Sequence, residues 1–103
     1  MLRLQVGTAL FTLSAYCMAG GSGLGVTKAG TVPVEEFTIA ADPTVVPIGS
    51  SVQIEGLGTR WVHDTGGAIK GRRLDVFMEQ CSEAKRFGIQ RRRVRVVSVG
   101  GRR

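Results

Sequence analysis

Histidine, cysteine and aromatic side chains are scarce in this chain, with one His, two Cys and six aromatics among 103 residues. That scarcity excludes several chemistries. Cys17 and Cys81, with only His63 to join them, fall short of a zinc set, so no metal and no other cofactor is expected. Six aromatics, four of them Phe, supply no interleaved basic and aromatic surface on which unpaired bases would stack. Specific nucleic-acid recognition is therefore not expected. No stretch of about 18 uninterrupted apolar residues occurs, which excludes a spanning helix.

What the chain does have is glycine and positive charge. Its length holds one domain, read as residues 1–103. Fifteen glycines against 21% charged residues argue against a helical bundle, since glycine costs about 1 kcal/mol per helix-interior site relative to alanine. Fourteen Lys and Arg against eight Asp and Glu leave a formal charge of +6, a field that attracts phosphate or acidic polymers. Arg91, Arg92, Arg93, Arg95, Arg102 and Arg103 carry much of it, which reads as a property of the C-terminal end, with 100–103 as a basic tail. The two cysteines are open to either reading at this point: a disulfide in an oxidising compartment, or two buried thiols in a reducing one.

Arg3 followed by the apolar run Ala9–Ala15 faintly resembles an export signal. Gln5, Gly7, Thr8 and Thr12 interrupt it, and Tyr16 stands where a cleavage site wants a small residue, so no clear signal peptide is read. Thr8–Tyr16 is instead expected to be a strand. Further strands are expected at Phe37–Ala41, Ser51–Ile54, Arg60–Asp64, Arg73–Phe77 and Arg93–Val99, from β-branched content and bounding turn residues. Gly20–Gly25 and Asp64–Gly71 read as loops. Gln80–Phe87 is the one credible helix, with Gly88 placed to end it in a left-handed conformation. Six or so short strands and one helix point to a small, mainly β barrel, because closure removes exposed edges.

Three aspartates, Asp42, Asp64 and Asp75, stand at or within strand-like sequence. If the strands bearing Asp64 and Asp75 pair as a hairpin, the two carboxylates come within a few strand spacings of about 4.8 Å. Asp42 before Pro43, and Asp64 before Thr65-Gly66-Gly67, also suit plain turn roles. Asp75, between Leu74 and Val76, suits either a solvated aspartate on an outward face or a general acid, since apolar neighbours and a second carboxylate both raise a carboxyl pKa. Lys70, if close, would oppose that shift. His63 is read as a packed or surface residue.

Ser14-Ala15-Tyr16-Cys17, Ala40-Ala41-Asp42-Pro43, Val46-Pro47-Ile48-Gly49, Asp64-Thr65-Gly66-Gly67-Ala68-Ile69-Lys70-Gly71, Arg73-Leu74-Asp75-Val76-Phe77 and Ala84-Lys85-Arg86-Phe87-Gly88 together resemble the Asp-Asp-Asp (3D) domain family, over about residues 12–97. The resemblance implies a six-stranded double-psi β-barrel related to membrane-bound lytic transglycosylase A and to stationary-phase muralytic proteins. It implies lytic transglycosylase activity on peptidoglycan glycan strands, cleaving the MurNAc–GlcNAc β-1,4 bond with formation of 1,6-anhydro-MurNAc. Asp75 is then the acid and later base, Asp64 its electrostatic neighbour and Asp42 the third member shaping the site. Thr65, Gly66, Gly67, Ala68 and Lys70 are expected to bind the sugar. An extracytoplasmic setting follows from the family, and there Cys17 and Cys81 are expected to pair. The alternative is a wall-binding barrel that holds peptidoglycan without cleaving it.

Overall fold

The computed structural model describes residues 8–18 and 25–100. Six strands and one helix follow in chain order: β1 Ala9–Tyr16, β2 Thr38–Ala41, β3 Ser51–Ile54, β4 Gly58–Asp64, β5 Arg73–Phe77, α1 Cys81–Phe87 and β6 Gln90–Ser98. They close into a barrel in the order β1-β5-β2-β4-β3-β6. Neighbours β1·β5 and β2·β4 run parallel and the other four pairs antiparallel, in the closed six-stranded, mainly β fold expected.

Period-two alternation sets the core. Leu74 and Val76 point inward from β5 beside Leu13, Ile39, Ala41 and Val62, while Arg73 and Asp75 stand outward and half-buried. β2 departs from this pattern: all four of its residues are buried, so its outer face is covered as well. The chain from 26 to 36 supplies part of that cover. Val34 donates its amide to the Thr38 hydroxyl, and the Ala29 amide donates to the His63 carbonyl.

The hairpin expected of the Asp64 and Asp75 strands does not form. β4 pairs with β2 and β3, β5 pairs with β1 and β2, and β2 therefore lies between the two aspartates. The cause is topological, because the tight connection is Glu55–Leu57 between β3 and β4, where Gly56 takes φ 82°. Most of the arginine charge also sits differently from a tail, since Arg91–Arg95 belong to β6 in the barrel wall. The remaining tail residues 101–103 and most of the Gly20–Gly25 loop lie outside the described residues, as does Arg3. Gly88 ends α1 with φ 65° but ψ −146°, which is positive φ without the left-handed helical conformation expected.

Cys17 and Cys81 form a disulfide with Cα atoms 5.2 Å apart, joining the end of β1 to the first residue of α1. The helix otherwise docks through buried Ala84 and through Phe87, which packs on the core.

Candidate active site

One row of residues crosses four strands on the outside of the barrel. Ser14 of β1 stands opposite Asp75 of β5, Asp75 opposite Ala40 of β2, and Ala40 opposite Asp64 of β4. Two strand spacings, about 9.6 Å of backbone, separate the two aspartates, with Ala40 as the small residue between them. A register shift between Ile39 and Ala40 creates the alignment. Ile39 faces Val62, and without the shift His63 would face Ala40; the extra residue brings Asp64 into the row instead.

Asp75 and Asp64 have different surroundings. Asp75 accepts a hydrogen bond from the Ser14 hydroxyl at 2.9 Å, and Ser14 in turn accepts one from Arg73 Nη2 at 3.4 Å. Desolvation by burial pushes the Asp75 carboxyl above the ordinary carboxylate range and Asp64 adds to the rise, while Ser14 and Arg73 oppose it. Asp64 accepts three hydrogen bonds: from the Tyr16 hydroxyl at 3.0 Å on Oδ2, and from the amides of Lys28 and Thr65 at 2.9 and 3.0 Å on Oδ1. Tyr16 spans from β1 past β5 and β2 to make its bond. Burial and the two aspartates push its phenol well above its usual pKa, so it remains a donor throughout the physiological range.

Asp42 occupies another position. It is 8% exposed, with Oδ1 accepting from the Thr44 amide and hydroxyl and Oδ2 from the Gly71 amide at 2.8 Å. These bonds, the Gly71 amide first, hold its carboxyl below the usual range. Both oxygens are engaged by protein donors, and their effect is to clip the glycine-rich loop to the Pro43 turn. Along that loop Ile69 is buried as an anchor, Gly66 accepts the Ile69 amide, Thr65 donates to Asp64, and Gly67, Ala68 and Lys70 are exposed. Lys70 acts on Asp42, and the cation beside Asp75 is Arg73. His63 is half-buried and packs against Phe37 at 5.6 Å between ring centroids.

Ser14, Tyr16 and Arg73 complete the constellation, although reading the residues in order does not single them out for it. The available signal is the alternation Thr12, Ser14, Tyr16 along β1, a polar stripe on a strand whose other face, Phe11 and Leu13, is buried.

The 3D domain family model matches residues 37–100. The cell wall-binding protein YocH of Bacillus subtilis is 40% identical over 90 residues, covering 84% of this chain and 31% of that protein. Among solved structures, MltA from Escherichia coli, which has a unique lytic transglycosylase fold, superposes with TM-score 0.62 at 22% identity, over 74% of this chain and 28% of that one. The lytic transglycosylase LtgG of Burkholderia pseudomallei gives TM-score 0.55 at 27% identity, over 69% of this chain and 25% of that one. This chain thus spans about a third of the length of YocH and about a quarter of either enzyme. A match that takes in Asp42, Asp64, Asp75 and five of the six barrel strands places this chain in the 3D domain family.

Proposed function

We propose that this chain acts on peptidoglycan outside the cytoplasm as a lytic transglycosylase, with Asp75 as its acid and base. The observation that carries the reading is the Asp75 carboxyl, half-buried in a row with Asp64 and raised in pKa by desolvation. A carboxyl in that setting holds a proton nearer neutral pH than an exposed one. It donates that proton to the glycosidic oxygen as the C1–O bond breaks. The muramic acid 6-hydroxyl then attacks C1, and its proton passes to the Asp75 carboxylate, which restores the acid and leaves the 1,6-anhydro ring. Asp64, held as an acceptor by Tyr16, Lys28 and Thr65, faces the positive charge that develops on the sugar ring. The exposed edge of the loop at Gly67, Ala68 and Lys70 is the proposed sugar contact, with Asp42 fixing its position.

The name of the relative YocH favours a second reading, in which the same cleft holds the wall without cleaving it. Digestion of purified peptidoglycan, followed by mass spectrometry for anhydro-muropeptides, separates the two. Product from the wild type and none from Asp75→Asn supports the enzyme. Retention on peptidoglycan without product from either protein sinks the catalytic reading and leaves the binding one.

A further inference from the structure

A line of arginines runs along β6, on the part of the barrel wall that bears no aspartate of the row. Alternation places Arg91, Arg93 and Arg95 outward and exposed, while Val94 among them is buried in the core. Arg92 stands apart from this line. Its guanidinium donates to Gln90 Oε1 and to the Glu55 carbonyl, a tie that pins the β3–β4 turn. Arg93 and Arg95 line an open groove of about 450 Å³ together with Thr8, Gln53 and Gly56. Arg95 Nη2 donates to Gln53 Oε1 at 3.0 Å, and Arg93 Nη1 lies 3.8 Å from Glu55, the one carboxylate among the described residues that line the groove. Neither contact saturates a guanidinium with its five donors, and an exposed pair at that distance contributes little.

We propose that this row binds a linear phosphodiester polymer, at a site separate from the row of aspartates. Two residues of strand advance about 6.7 Å, so the row offers a cation at each such step, a spacing comparable to the phosphate repeat of an extended polyol phosphodiester. Guanidinium groups meet phosphate oxygens with paired donors, which suits the row to a chain of phosphates. The basic track also leads toward the cleft: Arg91 stands opposite Thr12 of β1, and Thr12 opposite Arg73 of β5. Single-stranded nucleic acid has a similar phosphate repeat, but it would need aromatic platforms for its bases. The aromatics lie elsewhere: Phe37 stacks with Trp61, Tyr16 meets Phe77, Phe11 is buried, and Phe87 packs against the core.

The test compares the full chain with an R91Q/R93Q/R95Q variant that keeps Arg92, and circular dichroism verifies that the variant is folded. Each protein is titrated with poly(glycerol phosphate) and with a charge-matched single-stranded oligonucleotide. Each is also mixed with bacterial walls before and after hydrofluoric acid strips their phosphodiester polymers. The wild type is expected to bind the polymer more tightly than the oligonucleotide and to be retained less on stripped walls than on native ones, the remainder being held by the peptidoglycan itself. The variant is expected to bind the polymer about a hundredfold more weakly at low salt, by the increment a surface cation contributes at an anionic interface. Equal polymer affinity in both proteins, equal retention of the wild type on native and stripped walls, or tighter binding of the oligonucleotide overturns the proposal. Muropeptide release, measured in parallel, reports only on the cleft, so loss of either property leaves the other proposal standing.

Discussion

Asp75 on β5 and Arg93 on β6 both occupy outward positions of barrel strands, yet their environments are opposite. Asp75 is half-buried, bonded to Ser14 and raised in pKa by the water it has lost, whereas Arg93 is largely solvated and loosely paired with Glu55. The difference comes from what covers each wall. Loop residues 26–36, the glycine-rich loop and Tyr16 close over β2 and its neighbours, while nothing described covers the outer edge of β6. Covering a charge shifts its protonation at a cost in stability; leaving one in water costs almost nothing.

Asp75→Asn sharpens this contrast most. On the proposed role of Asp75 as acid and base, the substitution is expected to cut anhydro-muropeptide release by about 10²- to 10⁴-fold. The same variant is expected to melt a few degrees higher at pH 7. The native carboxyl has a pKa above its ordinary value of 3.8, so its stabilising contribution is complete below that value and is lost as pH rises through the native pKa. The gain should therefore shrink to nothing in melts near pH 3. A variant less stable than the wild type at pH 7 would break the comparison.

Next in size is the disulfide. Closing a chain separation of 64 residues contributes roughly 4 kcal/mol on the chain-entropy account, so a Cys17→Ala, Cys81→Ala variant should lose about that much in urea titration. Tyr16→Phe removes the donor to Asp64 and should cost about 1.5–3 kcal/mol of hydrogen bonding, read as a lower midpoint in urea titration. Asp42→Asn is expected to lower melting temperature at neutral pH by several degrees. Because the Asp42 pKa is depressed, the wild-type advantage is present above 3.8 and fades as pH falls through the native value, the reverse of Asp75. Smallest of all, the R91Q/R93Q/R95Q variant should change stability by only about 0.5 kcal/mol or less per site. A large loss there would show that the β6 arginines serve the fold.

Much of the fold was legible because strand signals are local. Ser51–Ile54 and Arg73–Phe77 match their expected bounds, and Ala9–Tyr16 differs by one residue, since β-branched runs between turn residues state their own limits. The Asp64–Gly71 loop was equally plain from its glycines. Pairing was not, because a strand carries no label for its partner. Asp64 and Asp75 did come to share a row, but through β2 and a register shift that no run of residues announces. Nothing local marks Tyr16 for the same reason: its partner lies 48 residues away and three strands over.

By itself the sequence determined the mainly β class, the places where the chain must turn, the excess of positive charge and the small set of carboxyls available for acid–base work. These follow from side-chain chemistry and nearest-neighbour geometry. Only the closed barrel decided which carboxyls share a row, which one is buried as a loop clip and which arginines fall in line. Burial and register depend on residues far apart in the chain, and they exist only once the sheet has closed.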